Sequence, residues 1–265
     1  MKRYHAYTKI GGTISGIMIL LILIAAFWTP YDPTAMDSAV KLSPPSAAHL
    51  FGTDNLGRDI LSRVLEGAGT TLTIAVLTVV TGAFFGILIG AFTGYYGGPI
   101  DNVLMRICDT ITAFPSFLLA LVIVSVLGSG KYNVVLALGV LFVPSFARIV
   151  RGEYARATTQ AYVDNARLMG AGPLRIMFVH ILPNIRSVLL SAVAIGFNNA
   201  VLAEASMSYL GIGVQPPDPS LGRMLSEAQT YLLSAPWFAI SAGVVIILLI
   251  LGFTLLGEGL SKEAK

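Results

Sequence analysis

Only one cysteine, Cys108, occurs among 265 residues, so no intrachain disulfide holds this fold together and the scaffold of a small secreted domain is excluded. Charge is also scarce. Asp, Glu, Lys and Arg make up 12% of the chain, against about 25% in an average soluble domain. That deficit excludes an ordinary water-soluble enzyme, a charged disordered chain and a coiled coil with ionic flanks. The three histidines, His5, His49 and His180, are dispersed with no HExxH pair, and no G-x-S-x-G elbow occurs; neither a zincin centre nor a hydrolase nucleophile is encoded. Basic residues interleaved with aromatics are missing, which removes a nucleic-acid patch. Gly128-Ser129-Gly130-Lys131 has the look of a phosphate loop, but Ser125 replaces the earlier glycine and Tyr132 follows the lysine, so the cradle for a nucleotide is broken. No catalytic or metal-ligating set is assigned.

What the chain has in abundance is apolar length. Hydrophobic residues make up 55% and the mean hydropathy is +0.78. The runs are Ile10 to Trp28, Leu72 to Thr93, Ile107 to Leu127, Val134 to about Val150, Val188 to Leu210 and Trp237 to Leu256, which predicts an all-α polytopic protein with six transmembrane helices. Leu72 to Thr93 alone spans about 33 Å as a helix, enough for a hydrocarbon layer of about 30 Å. The first run is too long for a signal peptide and Trp28-Thr29-Pro30 is a poor cleavage site, so it is read as an uncleaved helix. Pro144 and Arg148 mark the fourth run as the least regular, although proline is tolerated in membrane helices.

Placing the N-terminus in the cytoplasm puts twelve Lys and Arg residues inside (Lys2, Arg3, Lys9, Arg106, Arg148, Arg151, Arg156, Arg167, Arg175, Arg186, Lys262 and Lys265) against Lys41, Arg58, Arg63, Lys131 and Arg223 outside. This asymmetry predicts both termini on the cytoplasmic side. The chain then divides into residues 1–28, a tail and first helix; 29–71, an external loop with a short surface helix; and 72–265, a core of five helices. The core includes an internal loop at 148–186 and an external loop at 211–236.

Within these runs, Gly82, Gly86, Gly90 and Gly94 recur every fourth residue, a face on which another helix backbone approaches closely. In the fifth run Ser187, Ser191, Ala194, Asn198 and Ala205 share a face, with Glu204 close by. A polar stripe with an intramembrane acid has two readings: the lining of a translocation path through Ser191, Asn198 and Glu204, or hydrogen bonds between packed helices. Arg106 and Asp109 are expected to form a local ion pair. Asp54 with Arg58 and Asp59 with Arg63 are expected as i,i+4 pairs on a short solvated helix.

The internal loop carries the strongest signal. It holds six arginines, no lysine, and only Glu153 and Asp164 as acids, yet it also contains Tyr162, Val163, Leu168, Met169, Ile176 and Met177. A solvated linker needs no such residues. Tyr162 to Met169 reads as a short amphipathic helix stopped at Gly170, and Pro173 opens a second one that ends at Pro183. Two short helices presented at the membrane surface predict a docking element for a partner.

With these residues in view, the chain resembles the membrane-spanning permeases of bacterial ABC importers. Gly170 and Leu182-Pro183 match the close of that family's cytoplasmic coupling loop. Phe51-Gly52-Thr53-Asp54-Asn55-Leu56-Gly57-Arg58-Asp59, Asp101-Asn102 with Met105-Arg106, Glu204-Ala205-Ser206 and Tyr209 to Pro217 resemble the C-type permease of dipeptide, oligopeptide and nickel importers. Asp164 and Asn165 stand where the family often has alanines, and Leu221 where it often has tryptophan.

The resemblance implies the type I importer permease fold. It implies half of a heterodimeric pathway for dipeptides or oligopeptides, with nickel or a metal chelate as the alternative cargo. It also implies a second permease subunit, two cytoplasmic ATPase subunits carrying ATP and magnesium, an external substrate-binding protein and a bacterial inner membrane location. ATPase coupling falls to Asp164, Asn165, Ala166, Arg167, Leu168, Met169 and Gly170, and binding-protein contact to Asp54, Arg58, Gln215 and Arg223. No cofactor is expected in this chain. A secondary transporter, the reading from another class, would show internal repeats and more intramembrane ionisable residues.

Overall fold

The computed structural model describes residues 2–263, and Lys265, counted above among the internal cations, lies outside them. Among the described residues the principal helices are α1 (Lys2–Ala25), α2 (Ile60–Tyr96), α3 (Gly98–Ala113), α4 (Ser116–Leu127), α5 (Lys131–Ala157), α6 (Ala161–Leu168), α7 (Arg186–Tyr209), α8 (Leu221–Ala228) and α9 (Pro236–Glu263). Helices α1, α2, α5, α7 and α9 each have the length and apolarity to cross a membrane, and α3 with α4 form a broken sixth span. We call the end carrying residues 26–59 the upper end and that carrying 158–185 the lower end.

The third span corrects the expectation of one continuous helix from Ile107 to Leu127. α3 and α4 meet at 89°. Phe114 adopts φ −89° and ψ 145°, the extended conformation that a following proline imposes, and Pro115 has no N–H to continue the ladder.

The glycine stripe of α2 lies on α5, the most extensive helix pair in the chain. A Cβ at Gly82 would stand 2.6 Å from Cβ of Phe142, and one at Gly94 would stand 2.5 Å from the carbonyl oxygen of Arg151. The two backbones are therefore in close contact over about three turns, and van der Waals packing takes the place of a hydrophobic driving force. Pro144 lies inside α5 without ending it. α1 packs along α9, and α9 along α7.

At the upper end, the surface helix expected near residues 54–63 is not formed. Thr53 and Asp59 pair across a tight loop, α2 begins at Ile60 with Asp59 as its cap, and Asp54, Arg58, Asp59 and Arg63 are all buried. The Asp54–Arg58 pair exists, with Nε 2.7 Å from Oδ2. The Asp59–Arg63 pair does not, because Asp59 is taken by the helix N-terminus and Arg63 turns to Asp54. At the lower end no ion pair joins Arg106 to Asp109; α3 is tied to α5 by the ion pair of Arg151 with Asp101 and by the bond from Arg148 to the Thr112 hydroxyl at 2.6 Å.

Candidate functional site

The lower end is built around α6. Val163 and Ala166 are buried with Tyr154, Ile176, Met177 and Ile181, and the Tyr154 hydroxyl donates to the carbonyl of Met177 at 2.9 Å. One face of α6 is thus rooted in α5 and in the segment leading to α7. The opposite end projects: Leu168 is 86% and Met169 88% exposed.

The stop is a Schellman motif. Gly170 has φ +81°, its N–H bonds the carbonyl of Arg167, and the N–H of Ala171 bonds that of Ala166, both at 3.0 Å. The Arg167 guanidinium lies over the Tyr95 ring and bonds Asp164 at 3.2 Å.

The second short helix does not end at Pro183. Helical backbone runs from Pro173 to Asn184, widened into a π-turn over Ile176–Ile181. The wider turn accommodates a proline that has no N–H to give and whose ring crowds the carbonyl one turn back.

An open cavity of about 360 Å³ lies between α4, α5 and α7. Its walls include Phe117, Phe142 and Ile195, with Ser116, Ser145 and Asn199 as polar groups. The stripe read from the sequence lies elsewhere. Asn198 Nδ2 donates to Thr254 Oγ1 at 2.7 Å, and Ser191 Oγ lies 2.5 Å from Ser261 Oγ. Both bonds reach α9, so the stripe is a helix-to-helix seam. Asn199, overlooked in the sequence, carries the amide that faces the cavity; the face Ala192, Ile195, Gly196, Asn199 and Ala203 was the signal that would have found it.

Glu204 is also displaced from the expected path. It is fully buried, and its Oε1 accepts from Ser208 Oγ at 2.7 Å. Ser208 in turn accepts from the N–H of Val214 at 3.0 Å. Glu204 thereby pins the segment after α7 instead of lining an open space.

At the upper end three guanidinium groups and two carboxylates interlock. Asp54 accepts from Arg58 and Arg63, and Glu227 of α8 accepts from Arg58 at 3.0 Å, Arg63 at 2.9 Å and Arg223 at 3.2 Å. Asp54 also accepts the N–H groups of Leu56 and Arg58, so its charge is met on every side. Glu227 is the member that the sequence did not reveal, and Arg63, expected beside Asp59, joins Asp54 and Glu227 instead. Gln215 is turned back on its own loop, donating to the carbonyl of Gly211 at 2.9 Å. Asp54 and Arg58, taken in the sequence as contacts for a binding protein, are enclosed here; half-buried Arg223 is the more accessible.

These features agree with the comparisons. The model of the binding-protein-dependent transport system inner membrane component family matches residues 86–264. The chain is 41% identical over 251 residues to the glutathione transport system permease protein GsiD of Pectobacterium atrosepticum, covering 93% of this chain and 83% of that protein. It is 38% identical over 260 residues to the dipeptide transport system permease protein DppC of Haemophilus influenzae, covering 94% and 88%. An inward-facing structure of the MetNI methionine ABC transporter superposes with a TM-score of 0.65 at 18% identity, covering 78% of this chain and 98% of the matched one, a likeness of fold. The six-span plan, the glycine-stopped α6 and the match over most of the chain lead to one assignment: this chain is a permease subunit of an ABC importer, a multi-pass member of the binding-protein-dependent transport system inner membrane component family.

Proposed function

We propose that the chain is one half of a heterodimeric pathway that imports small peptides, driven by ATP hydrolysis on two separate cytoplasmic subunits and supplied by an external binding protein. The lower end is then cytoplasmic, along with both termini, as the arginine distribution favours. The observation that carries this reading is α6. Leu168 and Met169 stand out from the bundle while Val163 and Ala166 anchor the same helix in the core shared with α5. A subunit with no nucleotide site receives the energy of ATP only through a contact that differs between two states, and α6 with its glycine stop is built for such a contact.

Small peptides are the favoured cargo because the relatives are named for glutathione and for di- and tripeptides. A cavity with apolar walls and an amide beside two hydroxyls suits a peptide's backbone groups. A metal chelate is the second reading. In the assembled transporter in proteoliposomes, we expect ATP-dependent uptake of labelled dipeptide or glutathione with the binding protein present, and its loss when Leu168→Cys is cross-linked to the ATPase chain. Accumulation of nickel with no peptide uptake would overturn the cargo assignment. Uptake in the absence of ATPase chains would overturn the mechanism.

A further inference from the structure

A second groove, of about 390 Å³, lies between α1, α2 and the start of α5. Its lower walls are apolar: Ile22, Leu23, Ile74, Leu77 and Val135. Its upper rim is not. Glu66 of α2 and Lys131 of α5 line the same groove, and Phe27 and Trp28 stand exposed just beyond the end of α1, the position at which aromatic side chains mark a headgroup layer.

Glu66 is half-buried, and among the described residues its carboxylate has no ion-pair or hydrogen-bond partner; the neighbouring Thr70 hydroxyl bonds its main-chain carbonyl. An acid at the edge of the hydrocarbon layer calls for a cation. Lys131, held by Asp218 at 3.1 Å, is still 42% exposed and supplies positive charge at the same rim. From Glu66 down to Leu77 is eleven residues, about 16 Å of helix, close to half of a hydrocarbon layer about 30 Å thick. The groove is therefore one leaflet deep, with the unpaired Glu66 carboxylate and the Lys131–Asp218 ion pair at its mouth.

We propose that this groove holds one zwitterionic phospholipid with a primary ammonium, phosphatidylethanolamine, whose ammonium is bound by Glu66 and whose phosphate faces Lys131. A primary ammonium offers three N–H donors to the carboxylate, whereas a trimethylated headgroup offers none and an anionic one is repelled. An acyl chain fills the slot beside Ile74 and Leu77, and the pairing of a charged rim between helices with an apolar floor is how membrane proteins select headgroups.

The test is native mass spectrometry of the chain in its assembled transporter, stripped of lipid and offered phosphatidylethanolamine, phosphatidylcholine or phosphatidylglycerol in turn. Wild type is expected to retain phosphatidylethanolamine about tenfold better than the other two, as one charge-assisted hydrogen bond warrants. Glu66→Gln is expected to erase the preference over phosphatidylcholine, and Leu77→Trp, which fills the slot and spares the carboxylate, to lower retention of phosphatidylethanolamine. Equal retention of the three lipids by wild type, or an undiminished preference in Glu66→Gln, overturns the proposal. So does a photo-cross-linker at Leu77 that captures a neighbouring protein chain and no lipid, a measurement that stands even if Glu66→Gln fails to assemble.

Discussion

Asn198 and Asn199 are adjacent in the chain and face different partners: the first donates to Thr254 of α9 at 2.7 Å, and the second lines the cavity between α4, α5 and α7. A rotation of about 100° per residue around α7 separates an amide spent on helix packing from one that faces the cavity.

Substituting the two therefore has different effects. Asn199→Leu is expected to lower peptide uptake about tenfold, the effect of leaving one cargo group without its hydrogen bond, at normal complex yield. Asn198→Leu is expected to lower thermal stability by about 0.6–1.7 kcal/mol, the range for hydrogen bonds between membrane helices, with uptake per complex retained. Uptake assays paired with melting curves check both; the reverse pattern would return the path to the Asn198 face.

Gly170→Val places a β-branched residue at φ +81°, at a backbone cost of about 1–2 kcal/mol, and breaks the Schellman stop. The membrane helices still form, since none passes through this turn. ATPase activity is expected to become insensitive to the loaded binding protein. Normal stimulation in the variant would remove α6 from the energy route.

The upper cluster is expected to be strongly stabilising as a unit. Asp54→Asn leaves Arg58 and Arg63 buried with half of their counter-charge, a loss of about 3 kcal/mol for a broken buried pair. α8 is then expected to loosen from the start of α2, read as increased labelling of a cysteine at Leu225. Unaltered stability and labelling would show that Glu227 alone satisfies both arginines.

Gly86→Leu drives a side chain into Phe146 of α5. Overpacking costs about 1–3 kcal/mol or more, and here the obstacle includes backbone, so loss of assembled complex is the expected result. Wild-type expression of this variant would contradict the α2–α5 contact.

Much of this architecture is legible in the sequence because membrane physics writes it plainly: apolar length gives the spans, small residues every fourth position give the α2–α5 seam, and glycine after an amphipathic turn gives the stop of α6. What stayed hidden depends on partners far away in the chain. Whether a polar stripe faces a cavity or a neighbour is decided by Thr254 and Ser261, 56 and 70 positions downstream of Asn198 and Ser191. Likewise Asp54, Arg58, Asp59 and Arg63 have the spacing of a solvated helix face. Glu227, 164 residues beyond Arg63, converts them into a buried cluster. The 89° break was signalled by Pro115 and obscured by unbroken hydropathy on both sides of it.

The bare backbone contact along Gly82, Gly86, Gly90 and Gly94 has a mechanical consequence. Without a cushion of side chains between them, α2 and α5 have no room to slide in small steps, so they travel as one stiff rod. α6 is fixed to the foot of that rod through Tyr154, and Arg63 belongs to its head. If a docked partner pushes on α6, the 37 residues of α2, about 55 Å, would carry that push to α8 at the upper end as displacement, with little absorbed on the way.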